Sequence, residues 1–538
     1  MKEGKIQEIC RNINKNKLWD KLQNIEIIFM GCILFVIVSL LLTFGEQQYM
    51  CKQFFDYSNG VLLLIGGGCC GFATFVLFRY KTTIWQRLKQ IENKFSYVLI
   101  IYFFIIMYVS YNVKFCPGWD AGVVLGTSKQ ILNDNLEPFN NYYYSIYPNN
   151  LLITCIYTLV FECNDMFGIF NGENEIMALI SVGCLLQTIT AYLTFKILCD
   201  IMPSHYSAWI MWVVYLVFMG ISWVLVPYTD AIGVVIPISI FTLYLEQKNK
   251  EKIVNCFFIG CLVFVGYHIK PQTIVIAIAI FIFEVTKSFF RNKKENLLFI
   301  KKMCLCMVAT GVCASLYGNI IIPSTGFELN EELELGMEHS FMMGLNLERS
   351  GVYAPDDIAF SESISTKKER KAVNITEAKM RIKTMLENGT FSEHVVKKAL
   401  VNFNDGSFAW GQEGKFIKQE YSNPNQLISP LLKKIIYPSG ENRHYVYTLK
   451  QMMWIVILFS SIGIVLLTRS DFSKKEEIVV ICLAVMGIYL FVMLFESRAR
   501  YLYTYLPFFV ILAGIGFYKI QELVRKIHLL KKEQNNNT

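Results

Sequence analysis

Uninterrupted apolar blocks, each about 17–22 residues long, recur along this 538-residue chain and constrain its fold more than any other feature. A helix of that length crosses the roughly 30 Å hydrocarbon core of a bilayer. Only 17% of the residues are charged, whereas ordinary soluble proteins carry about 25%. The pattern predicts an all-α polytopic membrane protein and argues against a soluble enzyme.

Charge and cysteine content exclude other classes of protein. Lys and Arg number 51 and Asp and Glu 43, a formal net charge of +8. The basic bias of cytoplasmic loops accounts for this excess, so no nucleic-acid partner is expected. Most of the 16 cysteines lie inside apolar blocks, and no CxxC pairs with another at zinc spacing. We expect neither a disulfide framework nor a metal cluster.

Basic segments fix the expected topology, because positive residues stay in the cytoplasm. The residues before position 25 are basic and the first apolar block lacks a cleavage site, so we expect a cytoplasmic N-terminus and no removable signal peptide. Further basic loops and a basic tail indicate about twelve transmembrane helices, with both termini cytoplasmic. The predicted spans are residues 25–44, 60–78, 96–113, 176–198, 206–226, 228–246, 253–269, 271–287, 303–322, 452–468, 477–495 and 501–518.

One further apolar stretch, residues 147–163, is expected to lie on the outer face without spanning. It is the shortest of four stretches between Lys114, expected outside, and Lys248, expected inside, and only an odd number of crossings joins those positions. The loop that follows it holds acidic residues but no Lys or Arg, unlike a cytoplasmic loop. The stretch is therefore interpreted as an interfacial or re-entrant juxtamembrane helix.

Two long segments are expected to remain outside, from Lys114 to about Ile176 and from Pro323 to about Lys450. The second is polar, with a predicted helix from Lys367 to Leu386, and should fold as a small mixed extracellular domain. The expected regions are 1–113 (N-terminal segment and three spans), 114–322 (membrane core with the first outer loop), 323–450 (extracellular domain) and 451–538 (last three spans and cytoplasmic tail).

Two carboxylates follow predicted span ends on the outer face. Asp120 lies in the tight turn Pro117-Gly118-Trp119-Asp120, and Asp230 ends the corner Pro227-Tyr228-Thr229-Asp230. Such an Asp acts as a base or orients a hydroxyl. Asp120 equally suits a capping role for a helix over 121–132, and the two roles are compatible.

Cationic residues lie at the same predicted face. Lys270 and His268 stand between two spans with almost no loop, where a charge is a functional-site hypothesis and snorkelling to lipid phosphate is the alternative. Arg498 and Arg500 lie outside against the positive-inside bias. Guanidinium binds phosphate bidentately, which favours an anionic partner, while pairing with Glu496 is the alternative.

Three more positions carry open alternatives. Tyr147, before Pro148, is either an interfacial anchor or part of a site beside Asp120. His339 is either structural or functional. The pair Asp356-Asp357 either binds a cation or is solvated, as adjacent loop carboxylates usually are.

Together these features resemble a bacterial membrane glycosyltransferase of the GT-C superfamily, similar to the protein mannosyltransferase and aminoarabinose transferase relatives. The resemblance extends from about Lys114 to Tyr518 and rests on short motifs. These are Trp119-Asp120, Tyr147-Pro148, the Pro-Tyr-Thr-Asp and Lys-Pro corners and the terminal Arg-x-Arg-Tyr. The first two spans precede the usual first outer loop and depart from the commonest plan.

The resemblance implies a polyprenyl-phosphate-linked sugar donor and inverting transfer on the extracellular face of the cell membrane. The acceptor would be a cell-envelope glycan, a glycolipid or a protein. Oligosaccharyl relatives use a metal with a DxD-type motif, whereas this turn has one carboxylate, so no metal and no cofactor are expected. The implied roles are catalysis by Asp120 and Asp230, donor phosphate binding by Lys270, Arg498 and Arg500, and substrate binding by Trp119, Tyr147, His268 and His339.

Two other classes share parts of this pattern. A flippase or exporter of lipid-linked sugars would also bind an amphiphilic substrate, but should carry charged groups deep within several spans, and few are found. A polymerase or ligase of surface polysaccharide shares long outer loops and arginines, and would take its sugar from a lipid-linked oligosaccharide.

Overall fold

The computed structural model describes residues 2–46, 57–80, 83–84, 86, 94–220, 222–250, 252–410 and 416–536. These residues are mostly helical, and their one sheet has two strands. Ten described helices are at least 18 residues long and apolar enough to cross a membrane, and two shorter apolar helices accompany them. Each predicted span overlaps one of these twelve segments, although the predicted span 206–226 extends beyond its helix, which ends at Met219. The all-α polytopic membrane fold is confirmed.

The elements up to Ser324 include the first nine predicted spans. They are α1 (Lys2–Phe44), α2 (Asn59–Arg79), α3 (Phe95–Val113), β1 (Phe115–Pro117), α4 (Trp119–Leu132), α5 (Pro138–Ile146), α6 (Leu151–Phe167), α7 (Ile176–Ile201), α8 (His205–Met219), α9 (Thr229–Gly233), α10 (Val235–Lys250), α11 (Val254–Ile269), α12 (Val275–Ser288), α13 (Lys293–Leu316) and α14 (Ile322–Ser324). Short turns of 3-10 helix join several of them, at Pro148–Asn150, Gly172–Asn174, Ser222–Leu225 and Pro271–Ile274, and a π-helical turn lies at Tyr317–Ile321.

Residues 325–442, called here the long segment, lie between α14 and the last three spans. The elements after Ser324 are α15 (Gly336–Gly344), α16 (Pro355–Glu362), α17 (Lys367–Glu387), α18 (Phe391–Phe403), β2 (Ile417–Glu420), α19 (Ile428–Ile436), α20 (Arg443–Ser461), α21 (Lys475–Leu494) and α22 (Leu506–Asn536). Turns of 3-10 helix lie at Glu331–Leu333, Ile462–Arg469 and Ala499–Tyr505. Helix α17 matches the predicted helix, and its start is fixed by Thr366, whose side chain accepts from the backbone N–H of Glu369.

A two-stranded sheet joins the long segment to the loop after α3. Strand β1 pairs antiparallel with β2, with Phe115 opposite Glu420 and Cys116 opposite Gln419. The long segment therefore shares a sheet with the first loop, a link that strands of three and four residues do not reveal in the sequence. The predicted region boundary at residue 450 falls inside α20, since the helix extends beyond its apolar part.

Glycines permit close approach between spans. A Cβ added at Gly260 of α11 would lie 2.3 Å from the carbonyl oxygen of Cys306 in α13, and one at Gly516 of α22 would lie 2.0 Å from that of Ser460 in α20. Small residues at such crossings let helix backbones touch, which is how helices pack in membranes.

Buried amides tie the two N-terminal spans to the rest. Asn59 at the start of α2 donates to the carbonyl of Leu41 at 2.8 Å, and Gln451 of α20 donates to the Asn59 side-chain oxygen at 2.8 Å. Asn404, after α18, donates to the carbonyl of Gly45 at 2.8 Å. The first two spans are thus bonded to the long segment and to α20.

Ionic groups mark both ends of the helix bundle. At one end, Lys248 of α10 and Lys287 of α12 contact Glu476 of α21 at 3.0 and 2.5 Å. The other ends of these helices meet the starts of α4 and α9 and the turn before α22. We call this second end the site end, because Asp230 and Lys270 lie there.

Candidate functional site

The turn from β1 into α4 is held in a strained conformation. Trp119 has φ +36°, in the left-handed region that a bulky residue rarely adopts. The preceding Gly118 donates its N–H to the carbonyl of Phe416 at 2.7 Å. The indole packs on Tyr228 and Phe416, with ring centroids 6.2 and 5.9 Å apart. Contacts from two distant segments therefore hold Trp119 and the adjacent Asp120 in place.

Asp120 belongs to a ring of hydrogen bonds. Tyr143 donates to Asp120 Oδ1 at 2.8 Å and accepts from Asn150 Nδ2 at 2.7 Å. The hydroxyl of Tyr228 lies 3.0 Å from Asn150 Oδ1 and 3.4 Å from Asp120 Oδ2. Gly118, and not Asp120, is the N-cap residue of α4. Asp120 lies in the first turn, where its negative charge is favourable near the helix N-terminus.

The two tyrosines stay protonated donors at neutral pH. Burial, the neighbouring Tyr228 and then the Asp120 charge raise the pKa of Tyr143 well above its ordinary value. Burial and then the Asp120 charge raise the pKa of Tyr228 in the same way. Asp120 is itself half-buried, so its carboxylate is stabilised by phenol donors yet reachable.

A buried ion pair lies at the same end. Lys270, at the end of α11, contacts Asp230 Oδ1, and their side chains are 5% and 1% exposed. Arg500 Nη1 lies 3.9 Å from Asp230 Oδ2, an oxygen that accepts no hydrogen bond from the described residues. One carboxylate therefore orients two cations that come from different spans.

Aromatic rings surround the guanidinium of Arg500. Its Cζ lies 5.3 Å from the ring centroid of Trp119 and 5.9 Å from that of Trp223. The rings of Tyr228 and Tyr501 are each 6.0 Å away. Such rings stabilise a cation and exclude water, which strengthens any charge interaction beside them. Trp119 and Tyr228 also link Arg500 to Asp120.

The corner before the last span pairs its own charges. Arg498 Nε donates to Glu496 Oε1 at 2.7 Å, and the hydroxyl of Tyr501 donates to Glu496 Oε2 at 2.8 Å. Burial raises the pKa of Glu496, but Arg498, Tyr501 and Arg500 outweigh it, and the net pKa lies below the ordinary value. The alternative of an internal Glu496 pair is thus observed for Arg498.

Residues of the long segment form hydrogen bonds with the backbone of this corner. Lys398 of α18 is buried and donates to the carbonyls of Gly344 and Phe495, each at 2.7 Å. The N–H of Ser497 donates to the carbonyl of Gly351 at 2.7 Å, and Gly351 has φ +73°. The loop between α15 and α16 is therefore fastened to the residues next to Glu496.

Two tyrosines form the more open side of the site. Tyr147 is half-buried and packs on Tyr143, with ring centroids 5.4 Å apart. Burial and then the charge of Asp120 raise the pKa of Tyr147, and Tyr353 contributes next. Tyr353 is 46% exposed, and the Arg498 guanidinium lies 5.9 Å from its ring centroid. The accessible rings near Asp120 are therefore those of Tyr147 and of Tyr353, which belongs to the long segment.

A family model described as conserved hypothetical integral membrane protein matches residues 16–520. The chain belongs to this family. No curated protein and no solved structure matches it. As a member of the conserved hypothetical integral membrane protein family it is an integral membrane protein and contacts the lipid bilayer. The match takes in every predicted site residue.

The two histidines predicted to bind substrate, His268 and His339, pack against residues outside the group around Asp120 and Asp230. His268 packs against Phe264 and Tyr317 in tilted ring contacts, with centroids 4.4 and 4.8 Å away, so its described ring contacts are with α11 and the π-helical turn. His339 is buried, and its Nδ1 lies 2.8 Å from the hydroxyl of Ser361. Their described contacts do not join them to Asp120 or Asp230, and their substrate-binding role stays a prediction.

The pair Asp356-Asp357 has a structural explanation. Arg381 Nη2 contacts Asp357 Oδ1 at 2.7 Å, while Asp356 is exposed. In the part of the chain that the structure describes, no group of three or more His, Cys, Asp or Glu is arranged to hold a metal ion.

Several residues around the predicted charges were not singled out from the sequence. Tyr143, Asn150 and Tyr228 bond to Asp120 or to one another, and Trp223 and Tyr501 flank Arg500. Tyrosines are common at membrane interfaces, so residue type alone did not mark Tyr143, Tyr228 and Tyr501. The one available clue was that four of the five fall in or beside the quoted motifs.

Proposed function

We propose that this protein is a membrane glycosyltransferase, which transfers a sugar from a polyprenyl-phosphate donor to an acceptor hydroxyl on the outer face. The observation that supports it best is the convergence of the half-buried carboxylate of Asp120 with the cations Lys270 and Arg500 at the site end. The resemblance to GT-C glycosyltransferases points to the same reaction.

In the proposed reaction the acceptor oxygen forms a bond to the anomeric carbon of the sugar. The bond from that carbon to the phosphate oxygen breaks on the opposite side, and its electron pair leaves with the phosphate. Asp120 takes the proton of the attacking hydroxyl, which makes it a general base. Attack opposite the leaving group inverts the anomeric configuration.

Charge develops on the departing lipid phosphate, and the cations account for its stabilisation. Arg500 and Lys270 are already oriented by Asp230 and enclosed by aromatic rings. Donors fixed before the reaction stabilise developing charge without reorganising, and the low local polarity strengthens the effect. In this proposal Asp230 positions cations, and Arg498, paired with Glu496, is a second-ranked phosphate contact.

The hydrogen bonds of Asp120 suit a base with two distinct oxygens. Tyr143 donates to Oδ1 at 2.8 Å, while among the described residues the contact of Oδ2 is the longer 3.4 Å approach of the Tyr228 hydroxyl. The proposal assigns the proton to Oδ2. The acceptor, a cell-envelope glycan, glycolipid or protein, would approach from the side of Tyr147 and Tyr353.

Transfer of radiolabelled hexose from a panel of polyprenyl-phosphate hexoses to membrane extract tests the proposal, with purified protein, with and without EDTA. Asp120→Asn should reduce transfer at least about 100-fold, the scale of general-base catalysis. Asp356→Asn, the same change at an exposed carboxylate, is the matched control and should transfer normally. EDTA should have no effect.

Three outcomes would count against the proposal. Normal transfer by Asp120→Asn would remove the catalytic base. Movement of the lipid-linked sugar across vesicles, with no transfer from any donor, would indicate a flippase or exporter. Transfer only from lipid-linked oligosaccharides would indicate a polymerase or ligase.

A further inference from the structure

Helix α19 in the long segment has one face that packs on the protein and one that does not. Ser429 is fully buried on the inner face, and its hydroxyl donates to Asn112 Oδ1 at 2.8 Å. On the opposite face Leu427 is 79%, Leu431 62% and Ile435 41% exposed. These residues are four apart, so they form one apolar stripe along the helix.

The contact with Asn112 sets the level of α19 along the bundle. Asn112 is the penultimate residue of the span α3, so α19 lies at the site end of that span. The hydroxyl of Tyr437, directly after α19, donates to the carbonyl of Val113 at 3.1 Å. Both ends of α19 are therefore fixed where the apolar part of α3 stops.

The two spans that α19 contacts, α3 and α20, also carry exposed apolar side chains. Tyr108 on α3 is 50% exposed, and on α20 Tyr445 is 67% and Leu449 44% exposed. In an integral membrane protein, such side chains on span surfaces face lipid. Lys434, beside the stripe, forms an ion pair with Glu441 at 2.9 Å, and its stem can lie along the apolar surface while the ammonium stays among polar groups.

We propose that α19 is a membrane-surface helix whose stripe of Leu427, Leu431 and Ile435 lies among the acyl chains at the boundary of the leaflet at the site end. The occupant of this face is bilayer lipid, because α19 packs beside two spans with exposed apolar side chains and is held at the level where the apolar part of α3 ends. A helix with one strongly apolar face and a lysine at the edge of that face is typical of helices that lie in the plane of the membrane interface.

Side-chain contacts connect α19 to the rings around Arg500. The carbonyl of Ile436 accepts from Trp410 Nε1 at 2.8 Å, and Trp410 packs edge-on against Trp223 at 5.5 Å between ring centroids. Trp223 is one of the rings around Arg500. A helix resting on lipid thereby supports the aromatic surroundings of a buried cation.

The test is depth-dependent quenching of a fluorescent amino acid. A dansyl amino acid is introduced by amber suppression at Leu431, or at Met380 on α17 as the matched control, since Met380 is also an exposed apolar residue, at 56%. The full-length protein is reconstituted into phosphatidylcholine and phosphatidylglycerol vesicles carrying doxyl groups near the head group or deep in the chain.

We expect strong quenching at Leu431 by the shallow doxyl lipid, weaker quenching by the deep one, and little at Met380. Equal, weak quenching at both positions would overturn the proposal, because the stripe would then face water. A blue-shifted, unquenched probe at Leu431 together with a dimer in cross-linking would also overturn it, since a second copy of the chain would then cover the stripe.

Discussion

The buried ammonium of Lys398 donates to the carbonyl oxygen of Phe495 across 2.7 Å, and so joins the long segment to the corner that carries Glu496 and Arg500. Burial lowers the pKa of Lys398 from 10.5 to about 7, with the Glu496 charge acting in the opposite sense. This contact therefore makes the stability of the site end dependent on pH.

The sign follows from proton binding. Between about pH 7 and pH 10 the unfolded chain keeps Lys398 protonated while the folded protein does not, so stability rises with pH, by at most about 1.4 kcal/mol per unit. Lys398→Met should flatten this rise in thermal unfolding midpoints measured from pH 7 to 9.5. Lys397→Met, at a neighbour paired with Glu393 at 2.7 Å, should keep it. The same slope in both variants would contradict the assignment.

Tyr143 is expected to matter for rate through its hydrogen bond to Asp120. A hydrogen bond to a charged group contributes about 1.5–3 kcal/mol, so Tyr143→Phe should lower the transfer rate at saturating substrates roughly 10- to 100-fold. The adjacent Tyr144 bonds to Thr154 and is the matched control, so Tyr144→Phe should transfer at close to the normal rate. Equal losses in both would argue for a purely structural role.

Arg500 should resist conservative exchange. Its planar guanidinium lies between aromatic rings and can bind phosphate bidentately, which a lysine ammonium does not do. We expect Arg500→Lys to raise the KM for the polyprenyl-phosphate donor and to lower kcat, together about 100-fold in kcat/KM. Lys519→Arg, at the opposite end of the bundle, tests for nonspecific effects, and an unchanged Arg500→Lys enzyme would remove Arg500 from phosphate binding.

The ion pair of Lys270 and Asp230 should show strong coupling. Removing one partner leaves a buried charge with less compensation, a change that costs about 3–5 kcal/mol. Lys270→Met alone should therefore destabilise the protein clearly in thermal unfolding, and Lys270→Met with Asp230→Asn should recover part of the loss. Simple addition of the two single-variant losses would refute the coupling.

Helix packing offers a prediction independent of function. Gly260→Ala would bring a methyl group against the Cys306 carbonyl and force α11 from α13, at a cost of about 1–3 kcal/mol. Gly311→Ala, where no atom lies within 4 Å of the added carbon, should leave thermal stability almost unchanged or slightly higher. Matching behaviour of the two variants would mean that the helices adjust freely.

The spans were predictable because burial in lipid demands long apolar runs, which the sequence displays directly. Asp230, Lys270 and Arg500 were expected at one face, because each lies near the end of a predicted span, but their pairing was not predicted. The ring of Tyr143, Asn150 and Tyr228 was not, because hydrogen-bond partners depend on distances that no local pattern encodes. Nearness in sequence was also a poor guide at His268. It lies two residues before Lys270, yet its ring contacts Phe264 and Tyr317, whereas Lys270 contacts Asp230.

The pairing between distant segments has a consequence for biosynthesis. Ser429 and Asn112, which fix α19 against α3, are 317 positions apart in the chain. At about 5–20 residues per second, the ribosome needs tens of seconds to deliver one after the other. The early spans must therefore wait in the membrane until α19 has been made and can pack against the end of α3.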